Sequence, residues 1–353
     1  MGPMRRSIAL IALAALAFAA CSDDDASTEA GGGSSTTTTT APESTTTTEP
    51  PPVPSPGCGA ATEAQDKERH AVELGGTERW WRQTAPARAA DDDPMPLVVD
   101  FHGLAEGADI ATAMSKFGEL GMEEGFATVF PNGTGQPVRW ETTPGDPENP
   151  DLEFVGTMLE GVSEELCIDE SRIYAAGLSM GGFMSSLVAC EMSGRFAAVA
   201  PVAGLQFPDG CNPGRPIPVL SFHGTADPIL LFNGGVNTDA LRPVLGGDGP
   251  TTTSTSVPTD LDGEGYPAAA RDWAEQNGCE GSSDEDVSEE VILRTFDCPD
   301  GADVEFYIIE GGGHSWPGSE FSKSIESIVG PTTFDIDATD LIWTFFQGFR
   351  LPS

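Results

Sequence analysis

Residues 172–176, Arg-Ile-Tyr-Ala-Ala, have the length and apolar character of a short buried strand, and residues 183–191 read as a helix. Between them stands Gly177-Leu178-Ser179-Met180-Gly181-Gly182. A chain passes from strand to helix over so few residues only through a very tight turn. The glycines flanking the serine leave room for strand and helix to approach closely. The serine is then pushed out at the top of a sheet with a helix N-terminus beneath it, which is the Gly-x-Ser-x-Gly nucleophile elbow. Alone, the hexapeptide is equally an ordinary glycine-rich turn, and its meaning depends on the partners the chain supplies.

Strand and helix alternate on both sides of it. Strands are expected at residues 78–84, 97–101, 126–130, 196–203, 218–222 and 304–309, and helices at 108–121, 152–167, 266–277 and 337–346. Continuous apolar runs such as Leu97-Val98-Val99 suit strands covered on both faces. The pattern predicts an α/β fold: a mostly parallel sheet with helices on both faces, and ligands at the carboxyl ends of the strands. Residues 228–265 break the pattern. Their first part is expected to wall a binding cleft and their threonine-rich part, 251–256, to be mobile.

The N-terminal part is of another kind. Arg5 and Arg6 precede an apolar run, residues 8–20, that is too short to span a membrane and ends at Ala19-Ala20-Cys21. Residues 1–21 therefore read as a lipoprotein signal peptide, with Cys21 as the lipid acceptor of a bacterial lipobox. Phe18 stands where Leu, Val or Ile is usual, and plain secretion is the alternative. Residues 22–57 are rich in Ser, Thr and Pro, bury little apolar surface and are expected to be a disordered tether. That leaves 58–353 as one catalytic domain, on a chain that is exported and either anchored to the bacterial membrane through Cys21 or released.

The 353-residue chain has 56 acidic against 17 basic residues, a formal charge of −39. Such a surface cannot neutralise phosphates, so nucleic acid is excluded as a partner. Six cysteines remain after Cys21: Cys58, Cys167, Cys190, Cys211, Cys279 and Cys298. In an exported chain an even number points to three disulfides. Connectivity is open, but Cys279 and Cys298 bracket an acidic, Ser-rich stretch that reads as a loop and are paired first. No spacing resembles a zinc site, and neither metal nor cofactor is expected.

Four histidines occur: His70, His102, His223 and His314. A serine nucleophile needs a histidine base and an orienting carboxylate, and in this arrangement the chain order is Ser, acid, His. Asp227 follows the strand ending at Phe222-His223, and only His314 lies beyond it, after the strand 304–309. Ser179, Asp227 and His314 thus each follow a predicted strand and would gather at one edge of the sheet. Taken singly, Asp227 is a turn-forming residue before Pro228 and His314 a loop histidine against Trp316. His223 is read as support for the Asp227 loop, and His102 as a packed or loop-supporting residue. The backbone amides of Met180 and Leu104 are the expected donors to a tetrahedral oxyanion. Trp140 and Trp316 are candidates for aromatic walls of the substrate site, with core or rim packing as the equal alternative.

From Cys58 to Phe349 the chain resembles the secreted poly(3-hydroxybutyrate) depolymerase and feruloyl esterase family of α/β-hydrolases, including bacterial lipoprotein esterases. The resemblance lies in Val99-Asp100-Phe101-His102-Gly103, Pro131-Asn132-Gly133, Gly177 to Gly182, His223 to Pro228 with Gly234-Gly235, Trp273 with Asn277-Gly278-Cys279, and Gly311 to Gly318. It implies an α/β-hydrolase fold and an extracellular serine esterase with Ser179, Asp227 and His314 as its triad. The implied substrate is a polyester oligomer or a plant cell-wall ester, feruloyl or acetyl. A non-catalytic surface lipoprotein that binds carbohydrate or polymer is the other class the sequence allows.

Overall fold

The structure is a computed structural model, and it describes residues 50–146, 148–245 and 259–352. The signal peptide, Cys21, most of the tether and the threonine-rich part of the 228–265 region lie outside the described residues.

Among the described residues ten strands form one sheet: β1 (Gln65–Leu74), β2 (Thr77–Ala85), β3 (Met95–Phe101), β4 (Ala127–Pro131), β5 (Ile168–Leu178), β6 (Ala198–Val202), β7 (Val219–Gly224), β8 (Ser282–Asp286), β9 (Val291–Phe296) and β10 (Val304–Ile309). The helices are α1 (Ala108–Ser115), α2 (Phe117–Glu124), α3 (Pro150–Glu165), α4 (Met180–Glu191), α5 (Leu241–Val244), α6 (Tyr266–Asn277), α7 (Glu320–Ser324), α8 (Glu326–Val329) and α9 (Ala338–Phe346). The strand order is β1-β2-β4-β3-β5-β6-β7-β10-β9-β8. From β4 through β10 the neighbours pair in parallel, and an antiparallel strand pair closes each edge. This is the α/β-hydrolase fold.

Side-chain alternation along the inner strands builds two cores. Leu97, Val99 and Phe101 of β3 point to the face where Phe154, Met158 and Leu159 of α3, Leu187 of α4 and Trp273 of α6 are buried. Val98 points to the other face, with Phe117 of α2 and Ile342, Trp343 and Phe346 of α9. Each such fully buried side chain contributes roughly 1.5–3 kcal/mol relative to exposure.

Three expectations need correction. The helix foreseen over 108–121 is two helices, because Lys116 adopts a left-handed φ of 56° that ends α1 and starts α2. The acidic stretch between Cys279 and Cys298 is not a loop but the β8–β9 hairpin, all of whose β8 residues are exposed. Arg294 of β9 holds it by a paired contact to both carboxylate oxygens of Asp284, each 2.8 Å. The folded part also begins before Cys58. The Val53 amide donates to Asp169 Oδ1 (2.9 Å), and the buried Ser55 hydroxyl donates to the Leu166 carbonyl (2.8 Å) and accepts the Ile168 amide (2.9 Å). The disulfides are Cys58–Cys167, Cys190–Cys211 and Cys279–Cys298, the last being the pair expected.

Candidate active site

The turn after β5 folds as its glycines require. Ser179 sits at φ 57°, ψ −118°, a strained conformation for a residue with a side chain. It persists because both flanks are fixed: its amide donates to Val202 O (2.8 Å), and its carbonyl accepts the Phe183 amide of α4 (3.1 Å). A Cβ at Gly177 would lie 2.6 Å from the Gly181 backbone and from the Phe101 carbonyl, so neither a side chain nor a looser turn fits. Although Ser179 occupies the N-cap of α4, its hydroxyl caps nothing. It makes no hydrogen bond among the described residues, to His314 included.

Parallel neighbours bring the other two residues to the same edge. The strand ends are laced together by Ala203 N–H to Phe222 O and Thr225 N–H to Ile309 O, both 2.8 Å. Asp227 follows β7 and His314 follows β10, and they are in direct contact. His314 Nδ1–H donates to Asp227 Oδ2 at 2.7 Å, which leaves Nε2 as the nitrogen able to accept a proton. Asp227 Oδ1 takes the amides of Ile229 (2.8 Å) and Leu230 (2.9 Å). Burial alone would push the Asp227 carboxyl up. The charge on His314 and hydrogen bonds from His223 and His314 outweigh it and hold the group well below the usual carboxylate range. Burial likewise opposes the charged form of His314, but Asp227 and then Glu106 raise its pKa above the ordinary histidine value.

The two remaining core histidines are supports, as the sequence suggests. His223 Nε2–H donates to Leu230 O (2.9 Å) and lies 3.2 Å from Asp227 Oδ2, with its ring stacked on Tyr266. His102 Nε2 accepts the Gly133 amide (2.9 Å), so Nδ1 carries the proton and donates to Gly103 O (2.7 Å). Burial lowers its pKa to about 4, keeping it neutral. The Met180 and Leu104 amides find no acceptor among the described residues, while those of Gly103, Ala105 and Glu106 are all engaged.

Trp140 and Trp316 do not wall the site. Trp140 is 2 % exposed, its indole N–H goes to the His102 carbonyl (2.8 Å), and its ring packs on His102 and Phe101. Trp316 is 1 % exposed, bonded to Thr339 Oγ1 (3.0 Å) and edge-on to Phe117. A cavity of about 350 Å³ lined by Phe183, Leu205, Phe207, Leu230, Val236 and Tyr266, with Glu264 and Asp272 also on its wall, borders the site through Phe183 and Leu230, but none of Ser179, Asp227 and His314 lines it. Phe183, four residues after Ser179 on a predicted helix, was findable from spacing. Tyr266 stands at the start of α6, and Leu205, Phe207, Leu230 and Val236 come from loops whose facing no periodicity records. A second cavity of similar volume, lined by Met95, Arg172, Tyr174 and Trp343, lies at the opposite ends of β3 and β5 and has none of these residues. Among the described residues no group of His, Cys, Asp and Glu could hold a metal ion, and no helix is long and apolar enough to cross a membrane.

Residues 83–245 match the family model described as esterase PHB depolymerase. The chain is 30% identical over 237 residues to feruloyl esterase B of Piromyces equi, covering 65% of this chain and 41% of that one. It is 28% identical over 299 residues to NocK of Nocardia uniformis subsp. tsuyamanensis, whose own esterase assignment is provisional, covering 81% of this chain and 84% of that one. An acetyl xylan esterase from Aspergillus awamori superposes with a TM-score of 0.47 at 15% identity, over 73% of this chain and 98% of that one. The chain spans about two fifths of the length of the Piromyces enzyme. Residues 83–245 thus carry an esterase PHB depolymerase domain, and the chain is similar to feruloyl and other esterases along most of its folded part.

Proposed function

We propose that this protein is a serine esterase that hydrolyses carboxylic esters through an acyl-enzyme. Ser179 Oγ attacks the ester carbonyl, His314 Nε2 takes its proton, and Asp227 holds the imidazole in the required tautomer. The Met180 and Leu104 amides receive the oxyanion, the alcohol leaves with the proton from His314, and water repeats the cycle on the acyl-enzyme. The observation that carries this reading is the 2.7 Å His314–Asp227 contact beside a strained serine whose hydroxyl caps no helix. A Ser–His hydrogen bond that is open without substrate is common and closes in the bound complex.

The cavity beside the site favours a neutral apolar or aromatic acyl group: aromatic and aliphatic side chains line it, and Glu264 and Asp272 repel an anion. Feruloyl or acetyl esters of plant wall polysaccharide and hydroxybutyrate oligomers are the substrates that suit the family. Export fits three disulfides, and we propose residues 1–21 as the signal peptide, Cys21 as the lipidation site and the segment after it as a tether to the membrane.

Hydrolysis of p-nitrophenyl acetate and methyl ferulate by wild type and Ser179→Ala tests the chemistry. The variant should lose up to ~10⁶ in kcat, and a fluorophosphonate probe should label Ser179 alone. Equal rates, or no labelling, would leave a carbohydrate- or polymer-binding protein without catalysis.

A further inference from the structure

The loop after β3 carries a carboxyl group that the serine esterase scheme does not use. Residues 103–106 form a turn closed from both sides: Glu106 N–H donates to Gly103 O (3.3 Å), and Glu106 Oε2 accepts Gly103 N–H (2.6 Å). The Glu106 carboxyl fills the space a side chain at residue 103 would need, since a Cβ there would lie 2.8 Å from Oε2. Ala105, at a left-handed φ of 66°, gives its amide to Val138 O (2.8 Å). Three of the four amides in this turn are therefore fixed, and the Leu104 amide is the one left for a substrate oxygen. The same carboxyl interacts electrostatically with His314.

We propose that Glu106 is a positioning residue of the esterase site: it fixes the turn so that the Leu104 amide faces the reacting carbonyl, and it stands as a second carboxylate, besides Asp227, acting on His314. This rests on the serine esterase reading above. The charged groups that interact electrostatically with Glu106 are Asp100 from the end of β3 and His314 from the loop after β10. Burial raises Asp100 to about 8, so it is mostly neutral at pH 7. Burial raises Glu106 to about 7, against the pull of the Gly103 amide and of His314. The sign follows. From about pH 7 upward, where Glu106 is ionised, its charge favours the imidazolium, so it keeps His314 protonated, and the site inactive, to a higher pH than Asp227 alone would.

The test is the pH profile of kcat/KM, with kcat and KM separated at the plateau, for wild type, Glu106→Gln and Glu106→Ala. Gln keeps an oxygen for the Gly103 amide but carries no charge, so its acid limb should move to lower pH by about half a unit or more. Ala keeps neither, so its plateau kcat should fall by ~10-fold or more with KM within ~3-fold, because an oxyanion donor acts in the transition state. Gln should restore most of that loss. A Gln profile superimposing on wild type, or an Ala plateau kcat equal to wild type, overturns the proposal. If the Ala variant does not fold, the Gln profile decides alone. Activity surviving in Ser179→Ala would instead overturn the esterase reading, whatever Glu106 does.

Discussion

At Asp227 a single carboxylate has every oxygen engaged, by two backbone amides and two imidazoles, and this makes the residue scale sharp. Asp227→Asn keeps the shape but can favour the wrong histidine tautomer, and should lower kcat by ~10⁴. Because Asp227 and Glu106 raise the pKa of His314, activity should fall as pH drops through a value above the ordinary 6.5, and a pH–rate profile flat to pH 5 would remove His314 as base. A second prediction concerns Asp100, buried and accepting Ser115 Oγ–H at 2.5 Å. Its folded pKa of about 8 lies above the unfolded 3.8, so the folded state holds the proton and unfolding releases it. Stability from this group is therefore lost as pH rises from about 4 to 8. Asp100→Asn should raise Tm at pH 8, on the order of a few degrees, and leave it nearly unchanged at pH 4. The placement of Ser179, Asp227 and His314 after β5, β7 and β10 was legible because histidines are few and chain order is restrictive. Trp140 and Trp316 were not, since an aromatic beside a motif carries no sign of which way it faces, and both indoles turned inward to backbone and core partners.

At the scale of elements, strands with two covered faces announced themselves as apolar runs, and the inner sheet was readable. β8 was not: it lies at the sheet edge, fully exposed, and its Ser-Ser-Asp-Glu-Asp sequence has neither apolar alternation nor β-branched residues. Charges there discourage pairing with another chain. The Cys279–Cys298 bridge pins this hairpin to the end of α6, with Tyr266 of the cleft at the other end of that helix. Replacing both cysteines by alanine should therefore cost about 2–4 kcal/mol while leaving kcat for p-nitrophenyl acetate unchanged, measured by denaturant unfolding and initial rates. A fall in kcat would show that the hairpin shapes the cleft. The break at Lys116 was equally hidden, because the apolar spacing of α1 continues into α2 and only the backbone angle divides them.

For the whole molecule, composition misplaced the start of the folded part, because it registers what a segment is made of and not what it pairs with. Val53 and Ser55 are held by residues more than a hundred positions away. Removal of residues 1–49 should leave Tm and kcat as they are, whereas removal of 1–57 should lower Tm, since it exposes the partners of Val53 and Ser55 at Asp169, Leu166 and Ile168. Equal Tm values would mean that this clasp contributes nothing.

That clasp also defines a load path. Cys58 is joined to Cys167, immediately before β5, and Ser179 follows the far end of that strand. Tension applied at Pro50 reaches β5 through sulfur, and residues 59–166 are bypassed. If the domain is stretched between Pro50 and Pro352, those residues should add no length until the bridge is gone. Replacing Cys58 and Cys167 by alanine should then lengthen the fully extended chain by about 35–40 nm, at 3.3–3.6 Å per residue. An esterase pulled between a surface and its polymer would thus carry the strain along one strand and one bond, with β1 to β4 and the loop bearing Leu104 outside the line of force.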